Sequence, residues 1–86
     1  MLATVELLRE HGACGPGLAV FEREWPRGAE VREANLLRAA ALGLSIVWFG
    51  EHCLPEALQA EYQRQAASLR AEYKRQVASL ITRLVE

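Results

Sequence analysis

An all-α fold, four short helices followed by one long C-terminal helix, is predicted by three observations. The first is the alphabet: Ala and Leu fill nearly a third of the 86 residues, Asp is absent, and nine of the ten bases are Arg. Such a mixture favours helix almost everywhere. The second is the placement of breakers, which cut the first 55 residues into short pieces. The third is the stretch from Glu56 to Glu86, which holds neither Gly nor Pro and carries an internal repeat.

The first helix is expected over about Ala3 to His11, with Val5 and Leu8 on one face and Leu7 beside them. Gly12 supplies the left-handed residue that helix ends prefer. Cys14-Gly15-Pro16-Gly17 reads as a turn, with Pro16 near the start of a second helix running to about Glu24. Leu18, Phe21 and Trp25 follow helical spacing there, and Trp25-Pro26-Arg27-Gly28 ends the segment. The third helix spans about Val31 to Leu42, with Val31, Leu36 or Leu37, Ala40 and Leu42 turned inward and Gly43 as its stop. Ser45 then suits an N-cap, its hydroxyl accepting from a backbone N–H two or three residues on. Leu44 before that cap and Phe49 inside it fit a hydrophobic staple. A buried strand is the alternative for Leu44 to Phe49, but the chain offers no second strand to pair with it, so a short fourth helix is expected.

The fifth helix begins after Pro55. Ala60-Glu61-Tyr62-Gln63-Arg64-Gln65-Ala66-Ala67-Ser68-Leu69-Arg70 is followed at once by Ala71-Glu72-Tyr73-Lys74-Arg75-Gln76-Val77-Ala78-Ser79-Leu80-Ile81, and eight of the eleven positions are identical. Eleven residues make almost three full turns, so equivalent positions drift by only ~20°. Leu58, Tyr62, Ala66, Leu69, Tyr73, Val77, Leu80 and Leu84 therefore form one nearly straight apolar stripe. A stripe of this period favours straight or slightly right-handed packing, unlike the left-handed seam of a heptad coiled coil. Ala60, Ala67, Ala71, Ala78 and Val85 make a shallower face on the opposite side. Glu61 with Arg64, and Glu72 with Arg75, are spaced to pair along one flank.

The organisation that follows is a small helical domain over residues 1–55 and a long amphipathic helix over 56–86 that packs on it and extends to a partner chain. A globule of 55 residues measures ~26 Å across by the scaling of compact domains. A helix of ~31 residues is ~46 Å long. The excess length carries apolar side chains that need cover, so the expected assembly is an oligomeric helical bundle, a homodimer most simply. Leu58, Tyr62, Leu69, Tyr73, Val77, Leu80 and Leu84 are the expected interface.

Composition narrows the function class. A chain this short buries a thin core and usually draws help from disulfides, a metal or a partner. Cys14 and Cys53 are too few for a disulfide framework and read as buried thiols. His11-x-x-Cys14 and His52-Cys53 offer the ligand types of a zinc site, but adjacent helical residues point ~100° apart, so no metal is expected. Neither a Cys–His nucleophile with a cleft nor a phosphate-binding glycine loop is legible, and no enzyme or cofactor is expected. A net charge of −1 and bases spread around the fifth helix argue against nucleic acid. The first residues, Met1-Leu2-Ala3-Thr4-Val5-Glu6, lack a basic leader, and no apolar run is long enough for a bilayer, so a cytoplasmic protein is expected.

The strings Leu8-Arg9-Glu10-His11-Gly12-Ala13-Cys14, Trp25-Pro26-Arg27-Gly28-Ala29-Glu30-Val31 and Asn35-Leu36-Leu37-Arg38-Ala39-Ala40-Ala41-Leu42-Gly43-Leu44, with Gly17-Leu18, Phe21, Ile46 and Trp48-Phe49 between and after them, resemble a family of small uncharacterised phage and prophage proteins. The tandem Ala-Glu-Tyr-x-Arg units at Ala60–Arg64 and Ala71–Arg75 extend the resemblance, which covers roughly residues 7–80. Ser45 departs from it, standing where the family often has Asp, another N-cap residue. The Pro that often interrupts the family's repeats is also missing here. The resemblance carries no residue roles. It implies a context: a phage accessory protein in the cytoplasm of a bacterial host, acting by protein–protein binding to a host complex. Inhibitors of host defence, anti-CRISPR proteins among them, work in this way. A structural or assembly protein of phage is the alternative, and a small DNA-binding regulator the second.

Overall fold

The computed structural model describes residues 1–85 and separates into two compact units, Met1–Leu54 and Pro55–Glu86. Within the first unit the order is β1 (Leu2–Ala3), α1 (Val5–Glu10), α2 (Gly15–Glu24), β2 (Ala29–Glu30), α3 (Glu33–Ala41) and α4 (Ile46–His52); the second is α5 (Glu56–Val85). The chain is mostly helical, with the long helix last, as the alphabet and breakers predict. Glu86, the last residue of the expected fifth helix, lies outside the described residues.

The short helices start and stop where local chemistry tells them to. Thr4 is extended and its hydroxyl accepts from the Leu7 N–H at 3.1 Å, which starts α1. Gly12 ends it at φ 88°. There the Gly12 N–H donates to the Arg9 carbonyl at 3.1 Å and the Ala13 N–H to the Leu8 carbonyl at 3.0 Å, the paired bonds of a Schellman cap. Gly43, at φ 87°, closes α3 with the same pair: its own N–H to Ala40 and the Leu44 N–H to Ala39, both at 3.0 Å. Ser45 caps α4 as expected, accepting from the Trp48 N–H at 3.1 Å. α2 differs, starting at Cys14 with no side-chain cap bond and with Pro16 in its first turn.

The expectation of an all-α fold is corrected by a two-stranded antiparallel sheet, with Leu2 opposite Glu30 and Ala3 opposite Ala29. The first helix accordingly begins at Val5 rather than Ala3, and the third at Glu33 rather than Val31. Two-residue strands have no alternation to read in the sequence; they pair because the chain folds back on itself. The Trp25–Gly28 turn, closed by the Gly28 N–H donating to the Trp25 carbonyl at 3.0 Å, returns the chain toward β1. Gly28 is essential to that approach. Its φ is 92°, and a Cβ there would lie 2.8 Å from the Ala3 carbonyl oxygen. The Val31 N–H extends the ladder by one bond to the Met1 carbonyl, at 2.9 Å.

The core of this unit is Ala3, Leu8, Phe21, Ala29 and Cys53, with Val5, Leu18, Trp25, Val31, Leu44, Trp48 and Phe49 packed partly buried against it. Phe21 and Trp25 have ring centroids 5.3 Å apart, within the range of favourable aromatic pairing. Leu44 and Phe49, the staple pair, both lie on this core. In α3 the inward residues are Leu36 and Ala39; Leu37 and Ala40, two of the expected set, are exposed. An exposed ion pair, Arg38 Nε to Glu24 Oε1 at 2.9 Å, ties α3 to α2.

Candidate interaction surfaces

Two apolar surfaces stand out, one in each unit. The first follows from how little the Met1–Leu54 core closes. None of its side chains falls below 2% exposure, and the largest buried one is Phe21. Ala3, Leu8, Phe21 and Ala29 of the core line a cleft of about 470 Å³, walled by Phe21, Trp25, Trp48 and Phe49 and by aliphatic groups from α1, α3 and the β2 strand. This volume lies in the range of binding pockets.

Polar groups at the cleft are already engaged in holding the fold. The Asn35 side-chain amide donates to the Glu30 carbonyl at 2.9 Å, and the Ser45 hydroxyl caps α4. Cys14 also lines the cleft and is exposed, contrary to the expectation of two buried thiols. Its position is the cause, because it precedes α2 in a turn at the surface. Cys53 is buried, and burial pushes its thiol pKa up by penalising the thiolate. Among the described residues no three His, Cys or Glu side chains converge as metal ligands would. The walls of the cleft offer mainly apolar and aromatic contact.

The second surface is the stripe of α5. Among the described residues α5 is the only element of its unit; Ala66 of the stripe is buried, while most of the large side chains of the stripe are exposed. The residues singled out from the repeat lie as follows: Leu58 is 51% exposed, Leu69 72%, Tyr73 69%, Leu80 46% and Leu84 76%, with Tyr62 and Val77 half-buried. At 100° per residue they share one face of the helix. Reading the repeat missed Ile81, which is 55% exposed. It occupies the repeat position that Arg70 holds one unit earlier, so a base has become apolar and the stripe is broader at its C-terminal end. Comparing the two units of the repeat position by position is the signal that finds it.

The flank of α5 is organised as its spacing predicts. Glu61 takes hydrogen bonds from Arg64 and Gln65, and Glu72 pairs with Arg75 Nη2 at 2.6 Å. The Arg64 guanidinium, and after it the Gln65 amide, hold the Glu61 carboxyl below its ordinary pKa. No described helix is long and apolar enough to cross a membrane. Comparison with family models, with curated proteins and with solved structures finds no match to this chain.

Proposed function

We propose that this chain is a non-enzymatic phage or prophage accessory protein that acts by protein–protein binding to a host complex, as anti-defence inhibitors of the anti-CRISPR kind do. In this reading it works in the cytoplasm of a bacterial cell and self-associates through α5, most simply as a dimer whose long helices form a bundle. The observation that carries the reading is the repeated apolar stripe on a helix that is alone in its unit. Five large side chains of the stripe stand nearly half exposed or more. Apolar surface repeated at helical spacing is what helix-mediated association uses. The cleft of the Met1–Leu54 unit supplies a second apolar surface. The phage setting rests on the sequence resemblance.

The test has two parts. Light scattering across a dilution series gives the mass in solution, and a dimer that dissociates on dilution is the expected result. A strict monomer at every concentration overturns the self-association. A stoichiometric complex with a bacterial protein assembly, stable through gel filtration, is expected of the inhibitor role. Open-ended oligomers or incorporation into particles would move the protein to phage assembly. DNA binding that weakens steeply with salt would move it to regulation, because phosphate contacts release counterions.

A further inference from the structure

We infer that α5 pairs with α5 of a second copy in parallel and in register, an orientation set by charges on either side of its apolar stripe; this rests on the self-association proposed above. The charges at the centre of α5 are few, but they are sorted; Arg83, near the C-terminal end, lies on the glutamates' side. With Leu69 and Leu80 facing the seam, a rotation of 100° per residue places Glu61 and Glu72 about a quarter-turn to one side. Arg70 falls about a quarter-turn to the other side, and Lys74 about a third of a turn. Arg64 and Arg75 lie further round behind the glutamates, where they hold them from the outer side. Glu72 is about half exposed, with Arg75 on its outer side and the Gln76 amide donating at 3.3 Å on its seam side.

Two parallel helices related by a two-fold axis along the seam bring the acidic flank of each against the basic flank of the other. Glu72 then lies ~3 Å along the axis from the level of Arg70 of the second copy and within its reach, with Lys74 further round on the same flank. The contact occurs twice by symmetry. Antiparallel helices bring like flanks together instead. With the stripe centred, the two Glu72 carboxylates face each other and Arg70 faces Lys74. Only the outer pairs of Glu61 with Arg83 attract in that arrangement, and they do not offset the repulsion at the centre.

Orientation can be read from cross-linking. In a Cys14→Ser background, where the remaining Cys53 is buried, Leu80→Cys should form a disulfide between copies on mild oxidation. In the antiparallel arrangement the two thiols would be ~27 Å apart and would not join. A mixture of Leu58→Cys and Leu84→Cys chains should give no mixed disulfide, since those positions meet only in antiparallel helices. Charge reversal gives an independent reading. Glu72→Lys should weaken the dimer roughly tenfold, and adding Arg70→Glu with Lys74→Glu in the same chain should restore it. In an antiparallel pair each reversal leaves like facing like and changes little. Circular dichroism of each variant keeps loss of helix separate from loss of pairing. A Leu58–Leu84 mixed disulfide, or a dimer insensitive to Glu72→Lys, overturns the parallel assignment while self-association stands. A strict monomer overturns both.

Discussion

The two units of this protein reach order by opposite routes. Met1–Leu54 is built from short helices, none longer than the ten residues of α2, which are marginal on their own because nucleation costs more than a few turns return. Capping hydroxyls, two Schellman turns and contacts between residues far apart in sequence hold them. α5 is the reverse: thirty residues of high helix propensity with i,i+3 ion pairs and no interior breaker. Its conformation is local, and most of the large side chains of its stripe stand exposed. One unit needs its own tertiary contacts to exist, whereas the other is ordered locally and presents apolar surface.

The chromophores are divided in the same way, which allows each unit to be watched separately. Trp25 and Trp48 belong to the first unit, and Tyr62 and Tyr73 to α5. The largest expected effect is from Phe21→Ala, which removes the biggest buried side chain of a thin core. A loss of ~3 kcal/mol is expected, read as a lower denaturant midpoint in tryptophan emission. A midpoint unchanged by this substitution would break the claim that tertiary packing holds the first unit. Gly28→Ala comes next, at ~2 kcal/mol, because it combines a left-handed backbone with a Cβ driven against the Ala3 carbonyl. The same emission measurement reads it, and a neutral result would show that the sheet is dispensable.

The smallest effect belongs to α5 and sharpens the contrast through pH. Glu61 has a depressed pKa, so its pairing with Arg64 and Gln65 contributes fully above the ordinary carboxylate range and is lost as pH falls through the depressed value. Acid titration of helical circular dichroism should show a shallow loss there. Glu61→Gln should flatten that part of the curve. A steep cooperative loss at the same pH would mean that α5 depends on more than local pairs.

Much of the architecture was legible in residues with a local job. Gly12, Gly43 and Ser45 mark helix ends because φ above zero and hydroxyl capping are properties of single residues. Leu8, Phe21 and Trp25 follow from helical spacing. The sheet was not legible, since Leu2–Ala3 and Ala29–Glu30 pair only once a turn brings them together. Nor was the choice of Ala39 over Ala40 in α3, which a small rotation of a short helix decides. Of the candidate surfaces, the α5 stripe could be read directly from the repeat. The cleft could not, because Phe21, Trp25, Trp48 and Phe49 look the same in sequence whether they close a core or line an opening.

The sequence by itself determined where the short helices stop, where α4 is capped, and that the last helix is long, repeated and apolar along one face. These features depend on interactions within about one turn, which the order of residues specifies. Only the tertiary structure decided that β1 meets β2, that Cys53 is buried while Cys14 is exposed, and that the core stays open as a cleft. Each of those depends on which distant groups share a volume, and fifty-four residues are too few to surround their own centre.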